Sequence, residues 1–183
     1  MIFIYILIAI IAIIVLWSIV IYNSLIRKKN RAKEAWSDID VQLKRRYNLI
    51  PNLVNTVKGY ANHEKELFEN VTLARTKAMS VSSVNDKAKA ENALSGTLKS
   101  LFAVSENYPQ LKASANFIEL QKELTDTEDK VQASRRFYNS NVRDLVIKIE
   151  TFPSSIMAKI FNFKKMELFE IEQGERSVPQ VKF

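Results

Sequence analysis

Trp36 to Met79, WSDIDVQLKRRYNLIPNLVNTVKGYANHEKELFENVTLARTKAM, carries apolar residues at a spacing of seven. Stepping from Trp36 gives Leu43, Ile50, Val57, Glu64, Val71 and Ala78, and a companion series runs Ile39, Arg46, Leu53, Tyr60, Leu67 and Ala74. Two such series, three positions apart, line one seam of a helix, the pattern used in coiled coils and bundles. The stretch therefore predicts a long helix reaching about Met79. It has two weak points. Pro51 lacks the N–H that an internal helical bond needs and should kink the helix. Gly59 is less helix-favouring than Ala by about 1 kcal/mol.

N-terminal to this stretch the chemistry changes abruptly. The first 26 residues hold no charged side chain, and Ile2 to Ile26 is a 25-residue, predominantly apolar run. A helix of about 20 residues crosses a hydrocarbon core of about 30 Å, and its internally satisfied backbone is what such a core tolerates. A cleaved signal would want a basic start, a shorter apolar run and a small-residue cleavage site, so residues 1–26 read as a retained anchor. Arg27, Lys28, Lys29 and Arg31 follow at once. This basic flank places residues 27–183 in the cytoplasm, with the N-terminus outside, in a single pass of the cell membrane.

The formal charge is +7, and residues 27–50, with eight Lys/Arg against three Asp/Glu, account for +5 of it. That juxtamembrane excess suits an anionic lipid surface, at about 1 kcal/mol per basic residue, better than a nucleic-acid groove. The chain has no Cys, which removes disulfides, thiolate metal sites and cysteine nucleophiles.

C-terminal to the quoted stretch, Ser80–Asn85 reads as a polar loop and Ser83-x-x-Asp86 as a capping box. A second helix is predicted over about 84–107, with Ala90, Leu94, Leu98, Leu101, Phe102 and Val104 on its apolar face. Asn107-Tyr108-Pro109 breaks the chain. Heptads return in Phe117, Leu124, Val131, Tyr138, Leu145 and Phe152, predicting a helix over about 114–150 that Phe152-Pro153 ends. A short helix follows near Ser154–Phe161. With three Gly and four Pro in 183 residues, the fold class is all-α: one transmembrane helix, then an elongated antiparallel bundle of three or four helices. The expected division is an anchor (1–26), a cytoplasmic helical bundle (27–172) and an extended tail (173–183).

Four charges fall on seam positions: Arg46 and Glu64 in the first two series, and Glu128 and Arg135 in the series four residues on from Phe117, which reads Gln121, Glu128, Arg135, Val142 and Ile149. Buried charges left unpaired are very costly, so these four form a candidate buried polar network, with at least one pair linking the first long helix to the helix over 114–150. The candidate interaction surface comprises Arg45, Pro51, Asn52, Tyr108, Pro109, Lys112, Arg136 and Tyr138, where prolines bend helices and arginines stand beside aromatic rings. The bland alternative is that they are packing corners. His63 is the only histidine and a poor metal ligand on its own. No phosphate-binding glycine loop, nucleophile elbow or zinc-protease signature is present.

Taken together, these strings resemble the LemA family. The resemblance covers nearly the whole chain: Arg45-Arg46-Tyr-Asn-Leu-Ile-Pro-Asn-Leu-Val54, Val57-Lys58-Gly59-Tyr60, Glu106-Asn-Tyr-Pro-Gln-Leu-Lys112, Ala133-Ser-Arg-Arg-Phe-Tyr-Asn139 and Phe152-Pro153. It departs at Asn48, where Asp is usual, at Leu145-Val146, where Tyr-Asn is usual, and at Asn162, where Gly is usual. No chemistry is carried over to those positions. The resemblance implies a single-pass membrane protein with a cytoplasmic helical bundle, and it supplies no reaction. The reading is a non-enzymatic scaffold or adaptor at the cytoplasmic face; a self-assembling homo-oligomeric coat is the alternative. The expected partners are an anionic lipid surface and proteins, a second copy among them. No nucleic acid, small-molecule substrate or cofactor is expected.

Overall fold

The computed structural model describes residues 1–169. The tail expected from residue 173 lies outside them. Among these described residues six helices follow one another: α1 (Ile2–Lys58), α2 (Lys65–Ser80), α3 (Val84–Ser105), α4 (Pro109–Lys112), α5 (Ala115–Glu150) and α6 (Ser154–Ile160). Among the described residues there is no strand, and the fold is all-α. The chain forms two compact units. One comprises 1–38 and 136–168, and the other 39–135 with Phe169. Each draws on a part of α1 and a part of α5.

In the second unit, α1 is antiparallel to α2. Tyr47 reaches Ala78, whereas Lys58, eleven residues on, lies 5.6 Å over the ring of Phe68. The single helix expected to reach Met79 is thus two. Its break falls at Gly59, where the N–H groups of Tyr60 and Ala61 both turn back onto the carbonyl of Val57 at 3.0 and 2.9 Å. Glycine's low helix propensity puts the break there. The seam residues Ile39, Leu43, Ile50, Leu53 and Val57 of α1 are buried, as are Val71 and Ala78 of α2.

Ser83 opens α3 as read from the sequence. Its Oγ accepts the Asp86 N–H at 3.1 Å, and its hydroxyl donates to the Asp86 carboxylate at 2.7 Å. Leu94, Leu98 and Leu101 are the buried stripe of α3. Pro109 occupies the first turn of α4, where its missing N–H is harmless. Phe102 meets Phe117 of α5 edge-on at 6.2 Å. The second unit is therefore a helical bundle of α1, α2, α3 and α5.

In the first unit, α1 and α5 are antiparallel: Lys28 pairs with Asp144 at 2.9 Å, and Trp36 meets Tyr138 edge-on at 5.3 Å. Behind them α6 lays Met157 and Ala158 on Ile21, Leu25 and Leu145, with Ile149, Phe163 and Met166 closing the cluster. The start of α1 has no such cover. Every residue from Met1 to Val20 is exposed except Ser18, which is half-buried.

Candidate functional site

The second unit buries a connected set of polar groups. Arg46 is 3% exposed and Glu91 2%. One Arg46 nitrogen lies 3.2 Å from Glu91 Oε2; the other is 2.7 Å from Glu128 Oε2 and donates to Ser95 Oγ at 2.9 Å. The Tyr47 hydroxyl donates to Glu91 Oε1. Lys87, also buried, donates to the carbonyl of Ala78 at 3.2 Å. One guanidinium thus spans α1, α3 and α5 and satisfies several acceptors in fixed directions, as a planar fork allows and an ammonium would not. Burial pushes the Glu91 carboxyl above the ordinary range, against the pull of Tyr47, Arg46 and Lys87. The Tyr47 phenol is pushed up too, by burial first and then by the Glu91 charge.

Of the four seam charges singled out in the sequence, the structure brings together Arg46 and Glu128. Glu64 precedes α2 and accepts a long hydrogen bond, 3.4 Å, from Tyr108. Arg135 is buried with its guanidinium 4.5 Å from the centre of the Phe169 ring. Neither joins Arg46, because the turn at Gly59 carries Glu64 off the seam and α5 presents Arg135 two turns beyond Glu128. The partner that completes the network, Glu91, escaped the sequence reading. Its signal was there: Lys87, Glu91, Leu94, Leu98, Leu101 and Ser105 form one series at spacings of three and four, all buried. Counting only apolar residues stopped the stripe at Ala90.

The candidate interaction surface divides similarly. Arg45, Asn52, Pro109, Lys112 and Arg136 are exposed, and Pro51 and Tyr108 are half-buried. Lys112 pairs with Glu106. Asp126 lies between Lys130, at 2.8 Å, and Arg45, at 3.8 Å, and the Lys130 hydrogen bond holds its carboxyl below the usual range. Tyr138 is corrected: at 1% exposure it is a core residue. Its ring packs on Trp36, and its hydroxyl donates to the carbonyl of Glu167 at 2.8 Å. Burial, with Glu167 nearby, pushes that phenol up to about 12. Its place in the heptad series marked the core, and its neighbours Arg136 and Phe137 take the outer face.

In the first unit the basic flank meets the α5–α6 corner. Arg27 and Arg31 are exposed, Lys28 pairs with Asp144, and Lys29 lies 5.8 Å from the centre of the Phe163 ring. A groove of about 400 Å³ opens here, lined by Trp17, Ile21, Lys28, Ile147, Lys148 and Phe152 among others. His63 is exposed. Among the described residues no group of three His, Cys, Asp or Glu could hold a metal.

Comparison with known proteins gives one family and a small set of relatives. The LemA family model matches residues 35–183. Protein LemA of Metamycoplasma hominis is 29% identical, over 84% of this chain and 71% of its own length. Magnetosome protein MamQ of Magnetospirillum gryphiswaldense is 22% identical, and magnetosome protein MamQ 2 of Paramagnetospirillum magneticum 23%. Each of these two matches covers 81% of this chain and 64% of the relative, so the chain spans under two thirds of their length.

Proposed function

The chain belongs to the LemA family, and from that premise we propose that it is a non-enzymatic, single-pass membrane protein. Its helical bundle would act as a scaffold or adaptor at the cytoplasmic face of the cell membrane. One observation carries the membrane part. The start of α1 is long and apolar enough to cross a bilayer, and its side chains are left uncovered by the other described residues, Ile2 at 74%, Phe3 at 86% and Val20 at 63% exposure. A core helix of a soluble protein would be covered, and so large an apolar surface in water would aggregate. The basic flank at Arg27–Arg31 favours a cytoplasmic bundle.

The scaffold part rests on where the polar groups are spent. Buried Arg46 and Glu91 are engaged with each other, which suits fixing a shape, and the exposed Arg45, Asn52, Pro109 and Arg136 are open to partners. Exposed Val41, Leu73 and Ile118, each more than half open, favour the second reading, a homo-oligomeric coat in which copies cover them.

Two measurements test this. Single cysteines placed at Asn30 and Lys99, in a chain that has none, should resist a membrane-impermeant maleimide in intact cells and react after lysis. Labelling in intact cells would reverse the orientation. Full-length protein in mild detergent should run as a small, uniform species if it is an adaptor. Large regular particles would establish the coat instead.

A further inference from the structure

Among the described residues the outer face of α6 has no partner. Ile156 and Ile160, four apart in α6, share one side and are 47% and 66% exposed, and Phe152, in the turn just before the helix, is 76% exposed. The opposite side, Ser154, Met157 and Ala158, is buried against α1 and α5. So short a helix would ordinarily turn polar residues outward. This one turns out isoleucines, and Phe161 beside them is half exposed.

What covers that face follows from its level along α1. From Ile2 to Tyr22 is twenty helical steps, about 30 Å at the helical rise, which is about the thickness of a hydrocarbon core. Tyr22 touches Phe161 at 4.7 Å and Phe163 at 6.0 Å. The groove between α1 and the corner reaches one turn deeper, to Trp17, which it shares with Phe152 and Pro153. The exposed apolar residues are therefore continuous with the lower end of the apolar segment, at the depth where hydrocarbon gives way to headgroups. Lysines rim the same corner. Lys28 and Lys165 are paired with Asp144 and Glu150, whereas Lys148, Lys159 and Lys164 have no carboxylate partner among the described residues. Apolar side chains toward the acyl chains and free ammonium groups toward phosphates are the two faces of an interfacial element.

We propose that the α5–α6 corner is a second membrane contact. Phe152, Ile156 and Ile160 enter the boundary layer of an anionic bilayer, in the leaflet from which α1 emerges, and Lys148, Lys159 and Lys164 meet its phosphates. This rests on the reading that α1 spans a membrane, and adds that the protein grips the surface at a second point beside its anchor.

The absence of cysteine gives a clean test in the full-length chain. Ile156→Cys and Ile160→Cys each carry a bimane label in nanodiscs of phosphatidylcholine and phosphatidylglycerol, with nitroxide lipids as quenchers. Ile11→Cys reports the middle of the anchor. Ser140→Cys, exposed on α5 about three turns before the corner, reports water. The labels at 156 and 160 should lose most of their emission to a nitroxide near the head of the acyl chain. The label at 11 should lose it to a deep nitroxide, and the label at 140 to neither. Quenching at 11 without quenching at 156 and 160 overturns the second contact and leaves the anchor standing. No quenching at 11 overturns the anchor itself. Excimer emission from pyrene at Ile160, in place of lipid quenching, means that a second copy covers the face and also overturns the proposal.

Discussion

Arg75 donates from Nε to the main-chain oxygen of Tyr47, 2.8 Å away, and so fills the acceptor that Pro51 leaves without a donor in α1. In an uninterrupted helix the N–H of residue 51 would bond the carbonyl of residue 47; proline has none. The bundle supplies the missing donor from α2, and Pro51 is accommodated inside a helix that continues to Lys58. Removing Arg75 should strand a part-buried carbonyl. Arg75→Met is expected to lower stability by about 1–3 kcal/mol, measured by urea unfolding of the full chain in detergent. In a Pro51→Ala background the helical bond returns, and the same substitution should cost less than half as much. Equal costs in both backgrounds would mean that Arg75 serves something other than the proline.

Arg46 holds Glu91 and Glu128 with unequal leverage. Glu91 is buried, whereas the Glu128 side chain is 33% exposed. Water can solvate Glu128 once its partner is gone, but it cannot reach Glu91. Arg46→Met should therefore cost about 3–5 kcal/mol, and Glu128→Gln about 1 kcal/mol or less. Thermal unfolding of the two variants checks the ranking. A Glu128→Gln loss as large as that of Arg46→Met would show that the exposed end of the network carries it.

Glu91 also predicts a pH slope. Its folded-state carboxyl is raised by burial, so the folded state binds its proton more tightly than the unfolded state does. That contribution is complete below the unfolded value, near 4.3, and fades as pH rises through the higher folded value. The stability of the parent minus that of Glu91→Gln should therefore grow as pH is lowered from 8 toward 5. A difference that shrinks would show Arg46 and Lys87 outweighing burial, with the carboxyl held low.

The elements whose ends depend on local chemistry were legible in the sequence. Ser83 and Asp86 start α3 because their side chains reach backbone and each other within one turn, and Pro153 lies just past the end of α5. The break after Lys58 was hidden for a geometric reason. Val57 and Glu64 are seven apart, so the heptad of α2 continues in phase with that of α1 although the chain reverses between them. Period alone cannot see a turn of that length. The polar site was half legible. Arg46 and Glu128 stood out as charges on a seam, but Glu91 and Lys87 extend an apolar stripe on α3, and Arg75 acts only through a carbonyl, which no side-chain pattern records.

Asn162 shows how a departure from the family pattern is absorbed. It has φ 52°, in the left-handed region that glycine occupies freely and asparagine tolerates better than other residues. Its N–H bonds the carbonyl of Lys159 at 3.2 Å, and the N–H of Phe163 reaches back to Ala158 at 2.9 Å. This paired closure ends a helix on a residue in that conformation. The turn is what aims Phe163 into the apolar cluster and toward Tyr22. Asn162→Gly should keep or slightly raise stability, by up to about 1 kcal/mol, whereas Asn162→Ala should lower it by about 1 kcal/mol and Asn162→Val by more. Unfolding midpoints of the three variants in detergent decide it. If alanine and valine match glycine, the left-handed turn is not what the position demands, and the placement of Phe163 must come from the packing of the apolar cluster alone.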